Sequence, residues 1–314
     1  MRAFLCTLLA IGCGSSGIDS GNPTIDSACG DIAQAKCDKV KSCTDGAGIT
    51  RSWGDLGTCL AREKLSCTLV LQVPMNGNTP AATEKCVAAY ASYSCADYFA
   101  DRPPAACIHL GPRPSGAPCA VDGQCQSGYC IGNKTAACGT CGDAPPDGAS
   151  CRDSECAHGQ DCSLRTLTCY TPGAEGDSCD NDSAPCGYGF ACSSGLMTGT
   201  CTAANGSSGA ACSSTMLCDG NKGLTCGPSK TCATISYGAD GAVCGTIPGA
   251  AFSACAGGGA CYTATGVAQS GEMGHCKAPA ADGAACDATN GPMCTSPALC
   301  ANSVCTIPDT TSCK

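Results

Sequence analysis

The sequence contains few aromatic residues. Phe, Trp and Tyr make up 4% of its 314 residues, and only one of them is Trp, whereas Gly contributes 42 residues. A chain of this length normally builds a large core from bulky apolar side chains, and this chain has too few of them. The sequence therefore predicts small units that are held together by something other than an aromatic-rich core.

Basic residues are also scarce. The chain has 17 Lys+Arg against 26 Asp+Glu, which gives a formal net charge of −9, and the basic residues form no cluster. Nucleic acids and anionic lipid surfaces are bound by clustered positive charge. We therefore expect no nucleic-acid partner and no electrostatic binding to a membrane surface.

Cysteine, by contrast, is abundant, with 36 residues in the chain. This share is typical of a disulfide scaffold, and disulfides persist in oxidising compartments. The composition thus predicts an exported protein whose cysteines are structural, with no cofactor and no metal.

The first thirteen residues have the pattern of an export signal. Arg2 supplies a positive charge, Ala3 to Ile11 is mostly apolar, and small residues precede Cys13. This segment resembles the lipobox of bacterial lipoproteins. The resemblance implies cleavage before Cys13 and a diacylglyceryl group on its sulfur. Because Gly14 rather than aspartate follows, it also implies an outer membrane or cell surface location.

The number of cysteines agrees with lipidation. Without Cys6 in the leader and an acylated Cys13, 34 cysteines remain, an even number compatible with seventeen bridges. The alternative is an ordinary cleaved signal peptide with Cys13 in a disulfide. No later apolar segment approaches the ~20 residues that span a bilayer, so the anchor would be the acyl chains alone.

The composition divides the chain into five regions. Residues 1–12 form the lipoprotein signal peptide, and residues 13–28, rich in Gly, Ser, Asn, Pro and Asp, predict a flexible tether. Residues 29–107 hold eight cysteines at irregular spacing and predict a disulfide-stapled helical domain. Residues 108–115 are expected to be a linker, and residues 116–314 six cysteine-rich modules.

Three helices are expected in the helical domain. The first lies around Ile32 to Cys43. Ser52-Trp53-Gly54-Asp55 resembles a capping box that opens a second helix through Leu56 and Cys67. Thr79-Pro80 offers an N-cap and a first-turn proline for a third helix, which carries Cys86, Val87, Tyr90 and, at its far end, Cys95.

The modules are recognised by a glycine three residues before a cysteine. The six pairs are Gly116 and Cys119, Gly148 and Cys151, Gly176 and Cys179, Gly209 and Cys212, Gly241 and Cys244, and Gly283 and Cys286. Such units have little core, so each bridge, contributing about 2 to 4 kcal/mol, is needed. In the first two modules the structural disulfides are assigned to Cys119, Cys125, Cys130, Cys138, Cys141, Cys151, Cys156, Cys162 and Cys169.

The first module, with Cys119-Ala-Val-Asp-Gly-Gln-Cys125, Gly128-Tyr129-Cys130 and Cys138-Gly139-Thr140-Cys141, resembles the amino-terminal cysteine-rich domain of Dickkopf proteins. The resemblance implies a short-stranded, disulfide-knit fold that is used outside cells for binding. The whole chain resembles bacterial cysteine-rich surface lipoproteins. The expected fold class is small and disulfide-rich, with a stapled helical domain followed by an extended array of about six short-stranded modules.

Two disulfide arrangements remain open. In the arrangement that the resemblance implies, each module bridges its first cysteine to its third and its second to its fourth, as in Cys119 to Cys130 and Cys125 to Cys138. That grouping leaves Cys141 and Cys313 without partners. In a shifted grouping, the four cysteines from Cys119 to Cys138 form one unit and Cys305 bridges Cys313. The successive groups of four between them begin at Cys141, Cys169, Cys201, Cys232 and Cys276. We expect local bridging with at least one pair near Cys141 that crosses a module boundary.

The sequence gives little support for a redox, metal-binding or catalytic site. Cys138-Gly139-Thr140-Cys141 has the spacing of a redox dithiol or half a zinc site, but no second such pair exists. The three histidines, His109, His158 and His275, are predicted to be dispersed surface residues, and no catalytic motif accompanies them. Asp180-Asn181-Asp182 lacks the spaced oxygens of a calcium loop. Glycosylation sequons begin at Asn133, Asn181 and Asn205.

Three functions from different classes are compatible with these observations. The leading one is a surface-anchored, non-enzymatic lipoprotein that acts as a binding protein or structural stalk for an unknown extracellular protein or glycan. The second is a secreted Dickkopf-like signalling ligand or inhibitor. The third is an enzyme whose site lies in the helical domain, for which no set of catalytic residues is apparent.

Overall fold

A computed structural model describes residues 22–313, apart from 133–136, 152–154, 164–165, 181–184, 194–197, 214–215, 265, 269–271 and 288–289. Residues 25–107 are helical, and we call this part of the chain the hub. Its α-helices are α1 (Ile25–Cys43), α2 (Ala47–Trp53), α3 (Leu56–Gln72), α4 (Pro80–Tyr90) and α5 (Cys95–Phe99), followed by a 3₁₀ turn at Ala105–Cys107. Within the described residues, none of the helices combines the length and apolarity needed to cross a bilayer.

Helix α1 begins earlier than expected. Thr24 and Ser27 form a reciprocal capping box, in which the Thr24 side chain accepts from the Ser27 N–H at 3.1 Å. Buried residues then recur at helical spacing, among them Ile32 and Val40. The expected tether of residues 13–28 is therefore too long, because its last residues belong to this helix.

The other long helices begin at side-chain caps. The Asp55 side chain caps α3 by accepting from the Thr58 N–H at 2.8 Å, so the expected capping box at Ser52 is wrong: Ser52 lies in the last turn of α2. Thr79 caps α4 with Pro80 in its first turn, as predicted. Cys95 is not in α4, since it opens the separate helix α5.

Four disulfides hold the hub together. They join Cys29 to Cys67, Cys37 to Cys59, Cys43 to Cys95 and Cys86 to Cys107. One buried cluster of the hub combines one of these bridges with apolar side chains: Cys37, Cys59, Val40 and Ile49. The bridge thus forms part of the small core that the low aromatic content predicts.

Short strands make up the rest of the chain. They are β1 (Pro118–Cys119), β2 (Cys130–Ile131), β3 (Gly139–Cys141), β4 (Asp161–Cys162), β5 (Cys169–Tyr170), β6 (Ser178–Cys179), β7 (Phe190–Cys192), β8 (Gly199–Ala203), β9 (Leu224–Cys226), β10 (Cys232–Thr234), β11 (Ser236–Gly238), β12 (Val243–Gly245), β13 (Ser253–Cys255), β14 (Ala260–Thr263), β15 (Gly266–Val267), β16 (Met273–Lys277), β17 (Leu299–Ala301) and β18 (Val304–Thr306). The largest sheet has six strands in the order β11-β13-β12-β16-β14-β15, and the others have two or three. The predicted fold class, a stapled helical domain followed by small disulfide-knit modules, is confirmed.

The same turn opens every module. Each opening glycine has a positive φ, for example 84° at Gly116 and 79° at Gly148, which a residue with a Cβ rarely adopts. Its N–H donates to the carbonyl of the last cysteine of the module, at 2.8 Å both from Gly116 to Cys141 and from Gly148 to Cys169. We number modules 1 to 6 from this glycine to that cysteine: residues 116–141, 148–169, 176–201, 209–232, 241–276 and 283–305.

Modules 2 to 6 have the first-to-third and second-to-fourth pairing. Their bridges are Cys151–Cys162, Cys156–Cys169, Cys179–Cys192, Cys186–Cys201, Cys212–Cys226, Cys218–Cys232, Cys244–Cys261, Cys255–Cys276, Cys286–Cys300 and Cys294–Cys305. The arrangement implied by the resemblance is correct for these five modules. The shifted grouping is wrong.

Module 1 differs from both arrangements at one position. Cys119 bonds to Cys130 as in the first grouping, but Cys125 bonds to Cys141 instead of Cys138. The strand register explains this pairing, because Cys141 lies directly opposite Cys130, as each fourth cysteine lies opposite the third in every module. Cys138 is left over and bonds to Cys313, 175 residues away.

The expected linker of residues 108–115 is hydrogen-bonded to module 1. Gly111 and Arg113 donate their N–H groups to the carbonyls of Cys125 and Gln124, at 3.0 and 2.9 Å. The segment that precedes the module glycine pairs in the same way with the second cysteine in modules 3, 4 and 6. These hydrogen bonds fix the segment, so it does not serve as a spacer.

The array follows the hub and closes. Each module, or the residue just before it, contacts the hub. The contacts are hydrogen bonds from the Gly77 N–H to Gly123 (2.7 Å), the Gly159 N–H to Asp101 (2.9 Å), the Tyr188 hydroxyl to Cys43 and the Gly257 N–H to Thr50 (2.9 Å), and ion pairs of Lys222 with Asp45 (3.4 Å) and Arg62 with Asp282 (2.7 Å). The Cys138–Cys313 bridge then joins the two ends of the array. A free, extended rod, as the sequence led us to expect, is therefore the wrong description of its course.

A candidate ligand cleft between the hub and the modules

A cleft of about 290 Å³ lies between the hub and module 2. One wall is apolar and comes from α1 and α3, with Ile32, Val70 and Leu71. The lining also includes polar side chains: Lys36 of α1, Asn78, Tyr90 of α4, Asp101, His109 and, from module 2, His158. An apolar wall that faces a few convergent polar groups is the usual form of a small-molecule or side-chain pocket.

His158 is held at the junction of three parts of the chain. Its Nδ1 lies 2.9 Å from Oδ2 of Asp101 in the hub, and its backbone N–H donates to the Tyr129 hydroxyl of module 1 at 3.2 Å. The hydrogen bond to Asp101 is the main cause that raises the pKa of the imidazole above its ordinary value. The junction is therefore favoured when His158 is protonated.

Lys36 and Tyr90 bring hydrogen-bond donors to the cleft. Burial lowers the pKa of the Lys36 ammonium, but the neighbouring Glu63 carboxylate, 3.0 Å away, outweighs burial and raises it. Burial raises the pKa of the Tyr90 hydroxyl. Both groups therefore keep their protons at neutral pH, and the charge of Lys36 is balanced by Glu63.

His109 provides a neutral group to the same cleft. Its Nδ1 lies 3.0 Å from Oδ1 of Asn78, and burial lowers the pKa of its imidazole. The third histidine, His275, is remote from the cleft, on β16, with Nδ1 3.1 Å from the Gly241 carbonyl. The imidazoles thus contact an amide, a carboxylate and a carbonyl, and these contacts position the rings.

A buried carboxyl group lies beside this junction. Burial raises the pKa of Asp122 to about 6 from its ordinary 3.8, although the Cys130 N–H donates to it at 2.7 Å and opposes the shift. The charges of Glu155 and Asp101 raise it further, while that of His158 lowers it. Around neutral pH the folded protein therefore contains an ionised carboxylate in an unfavourable site.

We expect Asp122→Asn to be more stable than the wild type at about pH 8 but not at about pH 4. In the wild type the folded state keeps the Asp122 carboxyl protonated up to about pH 6, whereas the unfolded state loses that proton near pH 3.8. The stability of the folded state therefore falls as the pH rises through that window. The shift corresponds to roughly 3 kcal/mol at most. Melting temperatures of both proteins across this range test the prediction. Asp143→Asn, at an exposed carboxylate, is the control. A difference in melting temperature between Asp122→Asn and the wild type that does not change with pH would contradict the prediction.

The structure places the sequence-predicted site residues as follows. All nine cysteines assigned in modules 1 and 2 are in disulfides. Cys138 and Cys141 bond to different partners and form no dithiol, so the redox and zinc interpretations of that pair are wrong. Clusters of cysteine sulfurs within the modules are likewise sulfurs of neighbouring bridges. Cys13, Asn133, Asn181 and Asp182 lie outside the described residues.

The sequence did not predict the cleft. His109 and His158, expected to be dispersed, line the same cavity. Only knowledge of how module 2 packs against the hub could have shown this. One signal was available for Cys141: it precedes the next module glycine by seven residues, within the seven-to-nine range of the later fourth cysteines, whereas Cys138 precedes it by ten.

Seventeen disulfides and no remaining cysteine after Cys13 indicate an exported protein. Comparison of the chain with protein-family models, with curated proteins and with solved structures gives no match in any of the three.

Proposed function

We propose that this chain is a non-enzymatic binding protein, exported and held at the cell surface or outer membrane by acyl chains on Cys13. The cleft between the hub and module 2 is its ligand site. The observation that carries the proposal is the lining of the cleft of about 290 Å³, which combines the apolar Ile32 and Val70 with the polar Tyr90, His109 and His158.

The chemistry of the cleft favours a ligand that is partly apolar and without a strong net charge. Lys36 is paired with Glu63, and His158 with Asp101, so each positive group already faces a carboxylate. The Tyr90 hydroxyl and the neutral His109 ring supply hydrogen bonds without charge. A sugar ring or an uncharged side chain of a protein partner has this combination.

Binding is a better proposal than a structural stalk. A stalk needs an array that extends away from its anchor, whereas the modules here follow the hub and their two ends are joined through Cys138 and Cys313. Multiple disulfides instead keep the walls of the cleft rigid, which lowers the entropy that binding costs.

We expect Val70→Trp to reduce ligand binding by at least about tenfold, because the indole fills the apolar half of the cleft. The full chain would be applied to arrays of glycans and of peptides, and ligands retained by the wild type would be measured with both proteins. Val243→Trp is the matched control: Val243 is 47% exposed on β12, outside the cleft. Equal loss in both variants, or no loss in Val70→Trp, would contradict the assignment of the cleft.

A further inference from the structure

One disulfide differs from the other sixteen in what it joins. Four bridges lie within the hub, and two lie within each of the six modules, so cleavage of any of them leaves its unit held by at least one more bridge. The Cys138–Cys313 bridge, with a sequence separation of 175, instead joins module 1 to the segment that follows module 6. It alone closes the array covalently.

This bridge is also more accessible than most. Cys138 is exposed, whereas its partner Cys313 is 3% exposed. Among the described residues the other exposed cysteine is Cys226, and its bridge to Cys212 lies in module 4, where Cys218–Cys232 provides a second one. An attacking thiolate must reach a bridge from the solvent, and exposed Cys138 offers such an approach to this one.

The segment that the bridge fastens also contacts the hub and module 1 without covalent bonds. Thr310 donates its hydroxyl to the Leu69 carbonyl at 3.3 Å, and Cys313 packs with Val73 and Ala120. Beside it lies a mostly apolar cavity of about 470 Å³, lined by Pro74, Met75, Arg113, Ala117, Pro118, Thr311 and Cys313. Release of the segment would open this cavity between the hub and module 1.

Arg113 links the segment to module 1 a second time. Its guanidinium is buried, 7% of the residue being exposed, and it donates to the carbonyls of Pro118 and Cys313, the latter at 3.2 Å. Its Nε–H has no partner among the described residues. A buried cation held by carbonyls alone gains hydration when the site opens, so loss of the Cys313 contact favours further opening.

We propose that Cys138–Cys313 is a redox clasp, opened by a protein dithiol of the exported compartment. A thiolate of the dithiol attacks the Cys138 sulfur and forms a mixed disulfide, while Cys313 leaves as a thiolate and takes up a proton. The second thiol of the dithiol then displaces Cys138, which leaves as a thiol. The dithiol is oxidised by two electrons, the clasp is reduced by two, and the other sixteen bridges stay intact.

Graded reduction of the native full-length chain tests this proposal. The protein is treated with increasing dithiothreitol, free thiols are trapped with iodoacetamide, and the alkylated peptides are mapped by mass spectrometry. We expect Cys138 and Cys313 to be labelled first and together, at a reductant concentration at least about tenfold below the one that labels Cys212 and Cys226. Cys212–Cys226 is the matched control because it also has one exposed cysteine.

Hydrogen exchange of the selectively reduced protein tests the opening itself. Peptides that cover residues 69–78 and 307–313 should exchange faster than in the oxidised protein, whereas peptides from α1 should not change. Labelling of Cys212 and Cys226 at the same or a lower concentration would overturn the selective clasp. Unchanged exchange after clean reduction would show that the bridge does not control the cavity. The 69–78 peptide also contains Val70, Leu71 and Asn78 of the ligand cleft, whereas the 307–313 peptide contains none of the residues that line it.

Discussion

Replacing Cys13 with serine is expected to move essentially all of the protein from the membrane fraction to the soluble fraction. Serine offers no thiol for diacylglyceryl transfer, and the described part of the chain has no helix that could span a bilayer. Each buried methylene of an acyl chain contributes ~0.8 kcal/mol, and two or more chains give stable attachment. The loss of Cys13 should therefore remove the whole anchor. Membrane fractionation, with mass spectrometry of the mature amino-terminal peptide, measures the result.

Cys6→Ser is the matched control for this experiment. Cys6 lies in the leader that cleavage before Cys13 would remove, so its replacement should leave both attachment and the mature protein unchanged. A wild-type amino-terminal peptide without acyl chains would contradict the lipid anchor, as would a Cys13→Ser protein that stays in the membrane fraction although its leader has been removed. A mature protein with an odd number of cysteines would then have to be explained.

Arg62→Ala is expected to release module 6 from the hub. The guanidinium of Arg62, on α3, forms a bidentate pair with Asp282 at 2.7 and 3.1 Å, and it donates to the carbonyls of Thr295 and Ser296 at 2.6 and 2.7 Å. Its side chain is 16% exposed. Hydrogen bonds to charged groups contribute about 1.5 to 3 kcal/mol each but are not additive, so we expect a loss of roughly 2 to 4 kcal/mol of docking free energy.

Hydrogen exchange of the peptides around Thr295 and around Arg62 measures this loss, since module 6 keeps its own two bridges and need not unfold. Lys64→Ala is the control. Lys64 lies on the same helix and pairs with Asp26 at 2.6 Å, but that carboxylate is 84% exposed. Such a pair contributes about 0 to 1 kcal/mol. Equal protection in the wild type and in Arg62→Ala would show that module 6 is held by other contacts.

Local features of the fold could be predicted from the sequence because their causes are local. Thr79 and Pro80 begin α4 as expected, since a capping side chain and a first-turn proline act within one turn. The module glycines were found for the same reason: a turn with positive φ depends on few neighbours. The pairing within modules 2 to 6 followed from the resemblance, and cysteines close in sequence bridge at a low entropic cost.

Errors in the prediction came from contacts between distant segments or from competing local signals. The Ser52 capping box failed because α2 already occupies that position and Asp55 is the better acceptor. Cys138 was assigned to module 1 because nothing near it points to Cys313. The cleft depends on the docking of His158 against Asp101, 57 residues apart in sequence, and no periodicity or spacing encodes that pair.

The Cys138–Cys313 bridge changes how the chain responds to a cut. The backbone from Cys138 to Cys313 and the bridge together form one covalent macrocycle. A single peptide bond broken in a segment between two modules opens that macrocycle but separates nothing, because each new end remains connected to module 1, one through the backbone and one through sulfur. Two cuts between modules are needed to release a fragment. In an exported protein that meets proteases, the first cleavage between modules therefore leaves every module covalently attached to the hub.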